Sequence, residues 1–431
     1  MLSAIIFLPI IAAIVVAVAG RDQRRARLIA LTAVVAELGL TLVAFAGYDS
    51  DAGGFDLVER ADWIEAFDVQ YLLGMDGLSA PLLLLNGILG LAAVLVSWGV
   101  SHRSNEFFMW LLVLQGAVMG VFASLDLILF FVFWELELVP MFFLISVWGT
   151  GRKEYSAVKF LIFTFLGSAF MFVAILTLYF SLPGAERTFD MMALADYELA
   201  GLILPAGLIF TGFLIAFAVK LPIVPLHTWL PDAHTDAPTA VSVMLAGVLL
   251  KMGGYGLLRI NATLFPVQMV DFAPWLAVIA VVGVLYGAFI VMRQTDLKRM
   301  VAYSSVSHMG FVVLGLASVA ASGDALNGVG LNGAAMQLFT HGTITGLLFV
   351  VVGQFHEWPD FAPGLIGGAP DQGLGGVFHA ELVLGHAAMH LQRPDGGHDH
   401  DCIGVEPGLL AFDVEKLLGP EIGPEARLGH H

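Results

Sequence analysis

Apolar runs of about 20 residues, separated by short polar segments, repeat along the first 353 positions of this 431-residue chain. Because about 20 apolar residues cross the hydrocarbon core of a bilayer as a helix, the pattern predicts about eleven transmembrane helices. We therefore expect an all-α polytopic membrane protein. The predicted spans are 3–20, 28–47, 79–100, 107–123, 126–147, 158–181, 201–230 (interrupted by prolines), 238–259, 273–292, 299–320 and 331–353.

Composition supports this interpretation and limits the chemistry. Hydrophobic residues make up 58% of the chain and charged residues only 13%, whereas about 25% of the residues in soluble domains are charged. The single cysteine, Cys402, excludes an intrachain disulfide and any four-cysteine iron–sulfur or zinc site. No glycine fingerprint for a dinucleotide or phosphate loop is present. We expect no cofactor, metal or redox centre in this chain.

Charge in the predicted loops alternates along the chain. Basic residues occupy every second loop, and short loops rich in lysine and arginine face the cytoplasm. We therefore expect a multi-pass protein of a prokaryotic cell membrane, with the N-terminus outside and, if there are eleven spans, a cytoplasmic tail. The basic loops contain Arg21, Arg24, Arg25, Arg27, His102, Arg103, Arg152, Lys153, Arg293, Lys298 and Arg299.

Three strongly ionisable residues lie deep within predicted spans: Glu135, Lys220 and Lys251. A charge at the bilayer centre costs roughly 2.5–3.5 kcal/mol on insertion scales, so such residues usually serve a function. A carboxylate and two ammonium groups in separate helices could carry a proton or an ion. The alternatives are a helix-pairing carboxylate for Glu135 and a surface-reaching side chain for Lys220. For Lys251 a surface-reaching side chain is a weaker alternative, because apolar or small residues flank it on both sides.

The residues around these charges refine the prediction. Three prolines follow Lys220 at positions 222, 225 and 231, and each removes a backbone donor, so the seventh span should break there. Broken helices at mid-depth recur in ion-coupled transporters. Glu137 is about 200° round the helix from Glu135, so we expect it at a packing or loop-facing position. His308 and His341 also fall at mid-depth, where each could relay protons or simply pack.

The segment HTWLPDAHTDAPT contains residue types that bind metals. Its two prolines and its place at a predicted membrane edge favour capping and turn roles over metal binding. The residues concerned are His227, Asp232, His234 and Asp236.

Four motifs in the chain resemble one family. FWELELVPMFFLISVWG, AVKLPIVPLHTWLPDAHTDAPTAVSVMLAGVLLKMGGYGLLR, DLKRMVAYSSVSHMGFVVLG and GMDGLSAPLLLL look like the antiporter-like membrane subunits of respiratory complex I. Within that group they look like the subunit M, or chain 4, type of NADH-quinone oxidoreductase. The resemblance covers about residues 1–353 and rests on long, specific motifs.

The resemblance implies a proton-translocating subunit whose complex couples quinone reduction to pumping. It implies that Glu135 and Lys220 form an ion pair, that Lys251 is the central relay, and that His308 and His341 continue the same path. It also implies other membrane subunits as partners, no nucleic acid, and flavin, iron–sulfur clusters and quinone in other subunits. The expected organisation is a three-helix segment (1–106), a complete five-helix antiporter-like repeat (107–259), a partial second, inverted repeat (260–353) and a tail (354–431).

The tail departs from the family pattern, in which three more spans follow. Residues from Gln354 onward contain no run long enough to span a membrane and hold 8 of the 13 histidines. We expect either a frame-shifted segment, testable by resequencing, or a disordered acidic tail. Its cluster of His398, Asp399, His400 and Cys402 matches no closed zinc site.

Two other functions stay open on the sequence. One is a subunit of a multisubunit sodium/proton antiporter, which shares the glutamate and lysine motifs. The other is a truncated, non-pumping structural subunit. The electron donor, the quinone and the ion are not encoded in these motifs.

Overall fold

A computed structural model describes residues 1–20, 22–184, 186–197, 201–318 and 328–357. Within these ranges, ten helices are long and apolar enough to cross a membrane. The shorter apolar helix Ala206–Lys220 adds the interrupted span and brings the number to the predicted eleven. The expected tail from Gln354 lies almost wholly outside the described residues.

Helices form most of the described chain, and one two-stranded hairpin follows the second of them. In chain order the elements are α1 (Leu2–Ala19), α2 (Gln23–Gly47), β1 (Asp56–Ile64), β2 (Val69–Met75), α3 (Ser79–Val96), α4 (Ser104–Ala123), α5 (Leu127–Leu136), α6 (Leu138–Trp148), α7 (Lys153–Ser181), α8 (Met191–Ala195), α9 (Ala206–Lys220), α10 (Trp229–Asp236), α11 (Thr239–Met244), α12 (Leu250–Gly256), α13 (Pro266–Val291), α14 (Leu297–Ala317) and α15 (Gly328–Glu357).

The span Thr239–Ala262 lies at the centre of the helical bundle. It consists of α11 and α12 with the π-helical turns Leu245–Leu249 and Leu257–Ala262, and all of its residues are buried. Helices α3, α9 and α15 pack around it. Helix α13 instead exposes large apolar side chains such as Trp275 (69% exposed), as a lipid-facing helix would. The buried lysine of the central span is therefore enclosed by other helices.

The hairpin was not predicted, and it qualifies the all-α expectation. Strands β1 and β2 pair antiparallel, and β1 is largely exposed, so its alternation of apolar and charged residues is too weak to indicate a strand. Arg60 on β1 donates to Asp190 at 2.6 Å. The amino group of Met1 pairs with Glu59, so the N-terminus and the hairpin lie at the same end of the bundle.

Two spans are interrupted where proline removes a helical hydrogen bond. The predicted span 126–147 is divided into α5 and α6 at Glu137, because Pro140 has no N–H to give to the carbonyl of Leu136. Helix α9 ends at Lys220, two residues before Pro222. The carbonyl of Val219, released by this break, accepts from the Trp229 indole at 2.9 Å. Both interruptions place a charged side chain at the end of a helix inside the bundle.

Candidate functional site

The first element of the site is a buried ion pair between two interrupted helices. Lys220 Nζ donates to Glu137 Oε1, and the side chains of both residues are at most 1% exposed. The ammonium also lies 5.5 Å from the centroid of the Trp134 ring and 5.4 Å from that of Phe160, where the ring faces add a favourable cation–π interaction. Glu137 Oε2 has no partner in the described part of the chain.

This geometry corrects the expected pairing of Lys220 with Glu135. Glu135 is only half-buried, and its buried Oε1 has no partner among the described residues. The two acids face different sides of the helix, as their predicted separation of about 200° requires. Glu137 faces the interior of the bundle, and Glu135 faces its periphery. The useful signal was Pro140, since a proline three positions later predicts the break that Glu137 occupies.

The second element is Lys251 with His341. Lys251 lies at the second position of α12, and its Nζ donates to the carbonyl of Ala246 in the preceding π-helical turn. The same Nζ lies 2.7 Å from His341 Nδ1, and both residues are buried. An ammonium can donate only if that imidazole nitrogen carries a lone pair, so charged Lys251 requires a neutral His341. The contact therefore places two groups that can exchange a proton within hydrogen-bond distance of each other.

His308 extends this pair by one more residue. The His308 and His341 ring centroids are 5.3 Å apart, and Gln337 Nε2 lies 3.3 Å from His308 Nδ1. His341 Nε2 is buried and has no partner within the described ranges. The structure thus brings Lys251, His341 and His308 together in a continuous row. Within the described ranges, Lys251 bonds to Ala246 and His341, whereas Lys220 bonds to Glu137.

Glycines let the helices around Lys251 come close. A Cβ at Gly253 would lie 2.6 Å from the Leu221 amide nitrogen and 2.8 Å from the Phe217 carbonyl oxygen. Real Cβ atoms do not approach so near, so Gly253 is the residue that permits α12 to contact the broken end of α9. The backbones that carry the two lysines therefore touch at this glycine.

Side chains of the HTWLPDAHTDAPT segment form ion pairs, a hydrogen bond and a ring contact with neighbouring helices. Asp232 accepts from Lys159 at 2.7 Å and from Arg299 at 3.0 Å. Asp236 accepts from the Ser156 hydroxyl at 2.5 Å, and the His234 ring stacks on Phe349 with centroids 4.5 Å apart. In the ranges that the structure describes, no group of three or more histidine, cysteine or acidic side chains is arranged to hold a metal.

Three buried ionisable residues of the helical bundle were not found from the sequence. Arg259 donates to Asp76 at 2.6 Å and to the Tyr255 hydroxyl at 3.2 Å, which ties the end of the central span to the start of α3. The sequence did contain a signal for Asp76 and Arg259, because each is a charged residue within an otherwise uncharged motif: GMDGLSAPLLLL contains the aspartate, and GYGLLR ends with the arginine. The third is Glu37 in α2, which is fully buried although no motif contains it.

A further acid lies just outside the membrane-spanning segments. Asp126 precedes α5 and accepts from the amides of Ile128 at 2.8 Å, Leu129 at 3.0 Å and Gln70 at 3.0 Å. Burial raises the pKa of Asp126 to about 6, against these hydrogen bonds, and the nearby Asp190 adds to the rise. Within the described ranges, this carboxyl accepts hydrogen bonds from backbone amides, which offset part of the cost of its burial.

The fold is that of a polytopic membrane protein with charged and polar side chains buried among its helices. The chain belongs to the family described as NADH:quinone oxidoreductase/Mrp antiporter, TM, whose sequence profile matches residues 124–359. It is 44% identical over 360 residues to NAD(P)H-quinone oxidoreductase chain 4 2 of Thermosynechococcus vestitus, covering 83% of this chain and 65% of that protein. The identity to chain 4 1 of Synechococcus elongatus is also 44%, with the same coverage.

Solved structures agree with this family. A chain of respiratory complex I from Thermus thermophilus aligns with a TM-score of 0.73 and 27% identity, over 83% of this chain and 72% of that one. A chain of the Mrp complex from Dietzia gives 0.71 and 22% identity, over 82% of this chain and 64% of that one, which is a likeness of fold. The expected family membership is confirmed. The chain spans about 65% of the length of the curated relatives that it matches.

Proposed function

We propose that this chain is a proton-translocating membrane subunit of a complex-I-like NAD(P)H- or related donor–quinone oxidoreductase. The observation that carries the proposal is the buried contact of Lys251 with His341, continued by His308. The relay would consist of Lys251, His341 and His308, with Lys220 and Glu135 from the family motifs and Glu137 as the ion-pair partner of Lys220. The identity to chain 4 proteins supports the type of complex.

The geometry suggests how a proton would move. Lys251 would pass the proton on its Nζ to Nδ1 of His341, and the Nε2–H of the resulting imidazolium would pass a proton onward towards His308. Lys220 would act at a distance: while Glu137 neutralises it, Lys251 can hold its own charge. Opening of the Lys220–Glu137 pair would leave a positive charge near Lys251 and drive its proton to His341.

We propose that the working protein is assembled with other membrane subunits in a prokaryotic cell membrane. Flavin, iron–sulfur clusters and quinone would belong to other subunits. The N-terminus pairs with Glu59 of the hairpin. Both would lie outside, together with the acidic loop to which the hairpin belongs. The basic loops on the opposite side would face the cytoplasm.

Substitution of Lys251 tests the proposal. The complex that contains this chain would be reconstituted in vesicles, and acidification driven by quinone reduction would be compared for the unsubstituted chain, Lys251→Met and Lys153→Met. We expect Lys251→Met to lower proton transport at least about tenfold, because the relay loses its central proton carrier. Lys153 lies at the first position of α7, so its substitution should leave transport unchanged.

The other outcomes separate the alternatives. Full transport by the Lys251→Met complex would refute the relay. Sodium movement without quinone reduction would favour the sodium/proton antiporter, a function that the family description and the Mrp likeness of fold both allow. Quinone reduction without ion movement by the unsubstituted complex would favour the truncated, non-pumping structural subunit.

A further inference from the structure

A buried carboxyl group lies among the N-terminal helices, apart from the relay. Glu37 is near the middle of α2 and its side chain is fully buried. Helices α1, α3 and α4 pack against α2. An ionised carboxylate in such a position is very costly unless a cation or several donors compensate it.

The surrounding helices provide no cation. Neither α1 nor α3 contains an ionisable side chain, and the only one in α4 is Glu106, at its exposed start, where it pairs with Arg103. The arginines of α2 itself, Arg24, Arg25 and Arg27, precede Glu37 by at least ten residues, or about 15 Å of helix. The charges of these helices therefore cannot neutralise an ionised Glu37.

Glu37 forms one hydrogen bond with Gln115, and one oxygen atom of each side chain is left without a partner in the described part of the chain. Gln115 Nε2 on α4 donates to Glu37 Oε2 at 2.5 Å. The other oxygen of each side chain, Glu37 Oε1 and Gln115 Oε1, is buried and has no partner in the described part of the chain. One proton on Glu37 Oε1 would donate to Gln115 Oε1 and complete a ring of two hydrogen bonds. A carboxylic acid and a primary amide are complementary in this way, whereas a carboxylate is an acceptor only.

The Gln115 amide packs directly against the backbone of α3 at Gly90. A Cβ at Gly90 would lie 2.0 Å from both Nε2 and Oε1 of Gln115, so this glycine leaves the space that the amide occupies. Asn86, one turn earlier on α3, donates to the backbone carbonyl of Gln115 at 3.1 Å and so fixes the position of α4 at this residue. The amide is thus positioned by α3 and directed at α2.

We infer that Glu37 is a proton-binding site: its carboxyl holds a proton in the folded protein and pairs with the Gln115 amide through two hydrogen bonds. The site is distinct from the relay because α3 separates them. Leu85 of α3 faces Gly342, where a Cβ would also approach Lys251 Cε to 3.2 Å, while Asn86 and Gly90 lie on the face towards α4. The inference does not depend on the proposed pumping function.

Infrared difference spectroscopy tests this site. Spectra of the full-length chain in lipid vesicles at neutral pH would be recorded for the unsubstituted protein, Glu37→Gln and Glu106→Gln. We expect Glu37→Gln to remove one carbonyl band of a protonated carboxylic acid that shifts in heavy water, and Glu106→Gln to remove carboxylate bands only. Glutamine at position 37 can still form both hydrogen bonds with the Gln115 amide, so the variant should fold.

A second variant keeps the test specific. Gln115→Leu removes the partner but not the acid, so the carbonyl band should shift in frequency and persist. Loss of carboxylate bands in Glu37→Gln would overturn the inference, because it would mean that Glu37 is ionised. Carboxylate bands whose intensity follows the sodium concentration would also overturn it, since the oxygen atoms would then bind a cation in place of the proton.

Discussion

The two lysines of the site are buried to the same extent but compensated in opposite ways. Lys220 is paired with the carboxylate of Glu137 at the interruption of two helices, whereas Lys251 contacts the neutral ring of His341 inside a continuous span. A carboxylate fixes a positive charge by attraction, while an imidazole competes for the proton itself. Similar burial therefore supports two tasks: Lys220 is suited to hold a charge and Lys251 to exchange a proton.

The largest expected effect concerns the ion pair. Glu137→Gln should lower the free energy of unfolding by roughly 3–5 kcal/mol, because it leaves Lys220 as an uncompensated buried charge. Glu135→Gln is the matched control and should cost much less, since Glu135 is half-buried. Thermal unfolding of the assembled protein in lipid measures both. An equal or larger loss for Glu135→Gln would contradict the assignment of the pair, and the double variant Lys220→Met/Glu137→Leu should regain much of the loss.

Substitution of His341 tests whether Lys251 gives its proton to this partner. His341→Gln can still accept a hydrogen bond from Lys251 but cannot take up its proton, so proton transport should fall by about 100-fold, or about 2.7 kcal/mol in activation free energy. Assembly and quinone reduction in the absence of a proton gradient serve as the control for folding. Transport that survives in His341→Gln would mean that His341 only positions Lys251.

Contact between the two lysine-bearing helices can be disturbed at Gly253. Gly253→Ala should cost about 1–3 kcal/mol of stability, because its Cβ would collide with the backbone at Leu221 and Phe217. Gly39→Ala is the matched control, because a Cβ at Gly39 meets nothing within 4 Å. Chemical or thermal unfolding would show the difference. If the two alanines had the same effect, α9 and α12 would not be in contact at this point.

The smallest effect, when it is measured for each pH unit, belongs to Asp126, whose carboxyl accepts hydrogen bonds from backbone amides. Because the pKa of Asp126 is raised to about 6 in the folded protein from 3.8, folding is favoured by its protonation, and stability should fall as the pH rises from about 4 to about 6. The slope is at most about 1.4 kcal/mol per pH unit. Asp126→Asn should remove this part of the pH dependence of unfolding. A slope that Asp126→Asn leaves unchanged must come from other groups.

The membrane architecture could be predicted because length and hydropathy determine it. Apolar runs located the spans, and Pro222 located the break after Lys220, since both follow from the absence of water and of a backbone donor. His308 and His341 could be placed at mid-depth by counting along their helices. The contact of Lys251 with His341, and of His341 with His308, could only be expected from the family resemblance, because separate helices are brought together by packing that a single sequence does not encode locally.

Each missed feature has its own physical reason. Glu137 was expected at a packing or loop-facing position because the helix was continued through Pro140, although the interruption is what turns Glu137 towards Lys220. Glu37 was missed because its partner Gln115 is uncharged and lies two helices away in sequence. The hairpin was missed because β1 is exposed on both faces and has little periodicity.

The π-helical turns on either side of Lys251 set the rotational phase of its side chain. Each turn accommodates one more residue than an α-helix would need for the same hydrogen-bonded loop. One extra residue in an α-helix rotates everything after it by about 100°, unless a wider turn of this kind absorbs it and leaves the flanking parts in phase. The turn Leu245–Leu249 therefore keeps Lys251 directed at His341 while α11 keeps its own contacts. Loss of one residue from this turn would preserve that phase by restoring α geometry, whereas loss of one residue from the α-helical part Thr239–Met244 would rotate Lys251 away from His341.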